Sequence, residues 1–252
     1  GSLPSHPELL DWLAVEFMDR GWDLKAMIRL MVTSATYRQS AVVTAGLLGD
    51  DPRNRWLARA PRLRLEAEMV RDQALALSGL ISLKLGGPSV FPPQPDGLWR
   101  AAFNGERDYP TSTGEDRYRR GLYVFLRRTV PNPTLSIFDA PSRESCSFRR
   151  LPTNTPLQAF VTLNDPVYVE AAQGLARRIV RESGPGPRER VRYGLRLCLG
   201  RPPTAAQEEI LARHVEEELA HYGRDGGSAR KLGGGPPGST GFGSGVAELG
   251  AW

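Results

Sequence analysis

Arginine is concentrated in the middle of this sequence. Between Asp116 and Arg150 there are eight arginines against three acidic residues. Guanidinium groups form paired hydrogen bonds with carboxylate, sulfate and phosphate. We therefore predict a candidate anion-binding band that combines these cations with nearby amides: Arg117, Arg120, Arg143, Arg149, Asn154 and Gln158. The alternative, which we favour, is a lattice of ion pairs and hydrogen bonds that holds an irregular segment in place, because buried loop backbone needs polar partners.

Cys146 is the only side chain that resembles a catalytic nucleophile. Neighbouring arginines would favour its thiolate and make it a candidate reactive thiol, but cysteine catalysis normally also needs a histidine base within reach. The only histidines, His6, His214 and His221, are distant in sequence. We favour a packed thiol or half of a disulfide, leave open whether Cys146 pairs with Cys198, and predict no catalytic residues.

Two further patterns could bind ligands. His214, Glu218 and His221 recur at helical spacing that could hold a metal ion, but three such residues on one helix are usually a solvated edge, and we predict no metal site. The aromatic residues Trp99, Tyr109 and Tyr118 could stack on sugar rings. Trp12 and Trp56 are predicted to belong to the core.

The composition limits the possible partners. The 252 residues carry a net charge of +5, with 30 arginines but only 3 lysines. Arginine occurs along nearly the whole chain, which is typical of a GC-rich genome and differs from the concentrated basic face of a nucleic-acid-binding protein. No run approaches 18 apolar residues, so the sequence predicts no membrane span. The spread of arginine along the chain predicts no nucleic-acid partner.

Helix signals occur on both sides of the arginine-rich centre. Capping patterns predict helix starts at Ser5, Asp23, Thr155, Asp165 and Thr204, and apolar periodicity predicts a helix over residues 65–79. Residues 86–110 are rich in proline and glycine and predict an ordered loop, while the apolar run 122–126 fits either a buried strand or a helical turn. The predicted fold is mainly α, a multi-helix domain with a long irregular Pro/Gly/Arg-rich central segment and at most a minor β element.

The predicted boundaries follow composition. Residues 1–222 are expected to form a single helical domain, truncated at its N-terminus. Residues 223–245 are rich in glycine, serine and proline and predict a linker or mobile loop. Residues 246–252 resemble the start of a truncated terminal helix.

Several motifs together resemble a planctomycete-type C-terminal domain of unknown function, found in multi-domain proteins that carry a cytochrome-c domain. They occur in the expected order from about residue 3 to residue 222: SHPELLDWLA at 5–14, GPSV at 87–90, DRYRRGLY at 116–123, FDAPSRESC at 138–146, TNTPLQAF at 153–160 and LNDP at 163–166. The resemblance implies export, hence a periplasmic or extracellular location, and haem c in a separate upstream domain. This chain contains no Cys-x-x-Cys-His, so no cofactor is expected within it.

Two functions from different classes remain open. We favour a non-catalytic structural or interaction module whose partners are other domains of the same polypeptide. The alternative is a carbohydrate-active module that binds or processes anionic, sulfated polysaccharide through the arginine band and the loop aromatics. No activity is established for the domain that the chain resembles.

Overall fold

The computed structural model describes residues 3–147, 149–233 and 250, and divides into two compact units, Gly1–Arg64 and Leu65–Trp252. Throughout the described residues the secondary structure is helical, with two isolated parallel bridges and no strand that belongs to a sheet. The prediction of a mainly α fold with at most a minor β element is confirmed.

The first unit contains three helices: α1 (Pro7–Asp19), α2 (Leu24–Thr33) and α3 (Ala45–Asp50). The predicted cap of α2 is confirmed, since Asp23 Oδ1 accepts a hydrogen bond from the Ala26 N–H at 3.0 Å. The predicted cap of α1 is wrong. His6 occupies the N-cap position without a side-chain bond to the helix, and the Ser5 hydroxyl bonds His6 Nδ1 instead.

This unit buries few apolar side chains. Met27 is the only apolar residue among residues 3–64 that is buried. The expectation that Trp12 and Trp56 belong to the core is wrong, because they are 49% and 67% exposed. Apolar periodicity indicates which side chains share a helix face, but a face is buried only where another element covers it.

The second unit contains the remaining helices. They are α4 (Ala67–Ser78), α5 (Leu98–Ala102), α6 (Pro133–Ile137), α7 (Pro156–Asn164), α8 (Pro166–Glu182), α9 (Pro187–Leu199), α10 (Ala205–Arg224) and α11 (Gly226–Gly233), with short 3-10 helices at Gly114–Tyr118 and Gly121–Tyr123. Helix α4 packs against α8, α6 and the second 3-10 helix, and α9 packs against α10. The main core joins Ala67, Val124, Leu135, Phe138 and Tyr168.

Local capping chemistry fixes several helix starts as predicted. Asp165 ends α7 and begins α8 by accepting the Val167 N–H at 2.9 Å. Thr204 and Gln207 bond reciprocally at the start of α10. These bonds satisfy N–H groups that have no partner within the helix.

The irregular centre is held by isolated backbone pairs rather than by a sheet. Within the run 122–126, Tyr123 lies in a 3-10 turn and its carbonyl accepts the Val90 N–H at 2.8 Å. The Phe125 N–H returns a bond of equal length to the Val90 carbonyl. Phe91 stacks on Phe125 with ring centroids 4.7 Å apart. The run therefore combines a helical turn with one bridge.

Toward the C-terminus, α10 reaches Arg224 and α11 occupies the first part of the predicted linker. Residues 234–249 and 251–252 lie outside the described residues, and with them most of the predicted linker and of the predicted terminal helix. In the described part of the chain, no helix combines the length and the apolar character needed to cross a membrane.

Candidate functional site: the arginine-rich centre

Arg119 is the most deeply buried arginine of the centre, with 1% of its surface exposed. Its Nη1 donates to the Pro88 carbonyl at 3.1 Å, and its Nη2 donates to the carbonyls of Lys84 and Gly86. The guanidinium carbon lies 3.8 Å from the centroid of the Tyr123 ring. This side chain therefore anchors the glycine-rich turn at 84–88, a role that the sequence did not single out.

Arg117 forms an ion pair with Glu170 of helix α8. Its Nε donates to Glu170 Oε2 at 2.9 Å, and the Tyr118 hydroxyl donates to the other carboxylate oxygen at 2.8 Å. Glu170 is buried. Burial, together with the hydrogen bond to Glu170, raises the pKa of Tyr118. Each oxygen of this carboxylate thus accepts one hydrogen bond from within the protein.

Acidic residues of α4 bind two further arginines. Arg120 Nε lies 3.4 Å from Asp72 Oδ2, while the other oxygen of Asp72 accepts the Gly121 N–H. Arg150 makes a two-pronged pair with Glu68, with an Nη2 to Oε1 distance of 3.1 Å. Burial opposes ionisation of Glu68, but the hydrogen bond and the charge of Arg150 outweigh it and lower its pKa.

Helix α4 also contributes a buried cation. Arg71 Nη2 donates to the Arg117 carbonyl at 2.9 Å, so this guanidinium also binds the backbone of the arginine-rich centre. Burial lowers the pKa of Arg71. The sequence did not indicate this role, because a lone arginine in a helix is most often a solvated residue.

The six residues of the predicted anion-binding band therefore divide into two groups. Arg117 and Arg120 are ion-paired, and buried Gln158 donates to the Ile137 carbonyl at 2.8 Å and accepts the Thr155 N–H at 3.2 Å. Three others are exposed: Arg143, Arg149 and Asn154. The first group takes part in the internal lattice that we favoured, and the second remains accessible to a ligand.

The candidate nucleophile and the loop aromatics have different surroundings. Cys146 and Cys198 are both free and exposed, so the favoured prediction of a packed or disulfide-bonded Cys146 is wrong. Trp99 is only 8% exposed and packs edge-on against Phe91 and Tyr109. The Tyr109 hydroxyl donates to the Pro92 carbonyl at 2.8 Å, and burial raises its pKa to about 12. These aromatic rings therefore contribute to the fold rather than offering an open stacking face.

Within residues 3–147 and 149–233, no group of three His, Cys, Asp or Glu side chains is arranged to hold a metal ion. The histidines and the glutamate of α10 at positions 214, 218 and 221 are thus not brought together with further ligands in that part of the chain.

These features define a class: a helical module in which a set of arginines positions an irregular central segment, namely Arg71, Arg117, Arg119, Arg120 and Arg150. A family model described as PSD1, protein of unknown function (DUF1553), matches residues 1–215. The chain belongs to this family. No curated protein and no solved structure matches the chain.

Proposed function

We propose that this chain is a non-catalytic interaction module that docks onto other domains of one polypeptide. The observation that carries the proposal is the exposure of large apolar side chains on α1 and α2: Leu9, Leu10, Trp12, Val15, Met18, Leu24, Ile28, Met31 and Val32. Scattered exposed apolar residues are normal on a soluble protein, but those of α2 recur at i, i+4, i+7 and i+8 and therefore share one helix face. An exposed apolar face marks an interaction surface.

The scarcity of buried residues supports the same proposal. Met27 is the single buried apolar side chain of residues 3–64, whereas small domains need an extensive core or another stabilising element to fold alone. A covering partner would remove the exposed apolar side chains of both helices from water. Burial of apolar surface stabilises a complex by about 25 cal/mol for each Å².

The resemblance to domains of cytochrome-c-domain proteins suggests the partner: a neighbouring domain of an exported polypeptide whose upstream part binds haem c. A Cys-x-x-Cys-His motif upstream in the same reading frame would support this context. A reading frame that lacks that motif would contradict the haem part of the proposal while leaving the docking surface to be tested separately.

Hydrogen exchange tests the docking surface. Amides of α1 and α2 are to be compared between the isolated chain and the longer polypeptide, with α8, which buries seven of its residues, as the internal control. We expect exchange in α1 and α2 to slow at least tenfold in the longer polypeptide while α8 is unchanged. Equal exchange of α1 and α2 in both proteins would refute the proposal.

A second candidate function is binding of anionic polysaccharide. It is favoured by the exposure of Arg143, Arg149 and Asn154. Titration with sulfated and unsulfated oligosaccharides of the same backbone tests it. Binding that depends on sulfate supports this candidate, and equal or absent binding of both refutes it.

A further inference from the structure

The loop 51–59 of the first unit has a densely bonded backbone. The carboxylate of buried Asp51 accepts the N–H groups of Arg55 and Trp56 at 2.8 and 2.7 Å. Buried Arg59 donates back to the carbonyls of Asp51 and Pro52 at 2.7 and 3.1 Å. Burial disfavours the Asp51 carboxylate, but these backbone donors and the charge of Arg59 outweigh it and lower its pKa.

Two residues in this loop adopt a left-handed backbone. Asn54 and Leu57 have φ angles of 51° and 53°, which is unusual for a branched side chain such as leucine. Asn54 secures the conformation because its Nδ2 donates to the Arg59 carbonyl at 2.7 Å. Conformations of this kind persist only where surrounding bonds impose them, and they cluster at functional sites.

The result is an outward-facing tryptophan on a fixed loop. Trp56 is 67% exposed although its backbone is tied to Asp51. It borders a cleft of about 440 Å³ together with Ser5, His6, Asp50, Arg53 and Arg55. Ligand sites commonly have volumes of about 300–1,000 Å³, so the cleft could hold one or two sugar rings.

The charges around the cleft define the ligand further. Arg53 and Arg55 are exposed, and neither guanidinium forms an ion pair with any other described residue. Asp50 contributes one negative charge, and the charges of Arg59 and, more weakly, Arg55 act on the carboxylate of Asp51. Arg53, Arg55 and Arg59 against Asp50 and Asp51 leave a net charge of +1, which suits a ligand that carries one acidic group.

We propose that this cleft binds a sugar unit that carries a single carboxylate or sulfate. The ring's apolar face would stack on Trp56, since aromatic side chains offer a large rigid contact surface. The guanidinium groups of Arg53 and Arg55 would bind the acidic group through paired hydrogen bonds, and Asp50 and Ser5 would bind ring hydroxyls. The inference rests on the second candidate function for its ligand class, and it adds a site for that ligand in the first unit.

The test compares three variants of the full chain in titration calorimetry with sulfated, uronate-containing and neutral oligosaccharides. Trp56→Ala removes the stacking face, and the Arg53→Gln/Arg55→Gln pair removes the charge. Arg196→Gln/Arg213→Gln is the matched control, because it removes the same charge from exposed arginines of α9 and α10. Circular dichroism confirms that each variant keeps the wild-type helix content and unfolding midpoint.

We expect the first two variants to weaken binding of the acidic oligosaccharides at least tenfold, and the arginine pair to abolish their preference over the neutral one. The control should change affinity less than twofold. Equal loss of binding in the control and in the Arg53→Gln/Arg55→Gln pair would show a non-specific effect of charge and overturn this proposal. Absence of binding by the wild-type chain to any of these sugars would overturn it together with the second candidate function, while leaving the docking proposal to its exchange test. If Trp56→Ala does not fold, the arginine pair alone decides.

Discussion

Replacement of Arg119 by alanine should destabilise the second unit strongly. The side chain donates three hydrogen bonds to the carbonyls of residues 84, 86 and 88 and lies over the Tyr123 ring. Hydrogen bonds from a charged donor contribute about 1.5 kcal/mol or more each, and a cation over an aromatic ring adds about 1 kcal/mol. Relief of the cost of burying the charge offsets part of this sum. We expect a net loss of about 3–5 kcal/mol of unfolding free energy.

Urea denaturation followed by circular dichroism measures this loss. The total stability of a domain is about 5–15 kcal/mol, so the Arg119→Ala midpoint should fall by a large fraction. Arg149→Ala, at an exposed arginine of the same segment, is the control and should change stability by less than about 0.5 kcal/mol. Arg119→Met, which keeps the contact with Tyr123 but no donors, should lie between alanine and wild type. If Arg119→Ala and the control destabilise the protein equally, the hydrogen bonds from Arg119 to the three carbonyls do not stabilise the turn at 84–88.

Three further predictions concern the same unit. Gly121→Ala should lower the unfolding free energy by about 1–3 kcal/mol, because an added Cβ would lie 2.8 Å from Glu68 Cα; an unchanged urea midpoint would show that the 3-10 turn shifts freely. Because its guanidinium partner lowers the Glu68 pKa in the folded state, this group stabilises the fold above its unfolded pKa, and that contribution is lost as pH falls through the folded value. Glu68→Gln should therefore flatten the decline in stability as pH falls below the unfolded value of about 4.5, and an equal slope in both proteins would contradict the ion pair. Cys146, a free and exposed thiol, should be alkylated in the folded chain, whereas a residue that stays unlabelled until urea is added would be packed.

Local signals predicted much of the helical structure. Helix starts at Asp23, Asp165 and Thr204 were predictable because a capping side chain bonds an N–H only two or three residues away. Such bonds depend on neighbouring residues alone, so the sequence displays both partners together. The failure at Ser5 shows the limit, since its hydroxyl bonds the adjacent histidine ring instead.

The candidate sites were less predictable because their partners are distant in sequence. Arg117 and Glu170 are 53 residues apart, and Arg150 and Glu68 are 82 apart. Only packing of α4 and α8 against the irregular centre brings these charges together. The number of arginines could therefore suggest both an anion site and a lattice. It could not show which guanidinium groups would bind partners within the protein.

Trp56 illustrates the same limit for apolar residues. Tryptophan is highly buried on average, so its residue type predicts a place in the core. In the structure, the Arg55 and Trp56 N–H groups donate to the Asp51 carboxylate, and the Trp56 ring is exposed. No single residue signals this outcome, because it depends on the combined bonds of Asp51, Asn54 and Arg59.

The most direct test of the central claim is the exchange rate of the α1 and α2 amides in the isolated chain and in the longer polypeptide. The interaction-module account predicts at least tenfold slower exchange in the longer polypeptide, restricted to residues 7–33 and absent from α8. Identical exchange of residues 7–33 in the two proteins would contradict it, because a covered apolar surface must protect the helices that carry it.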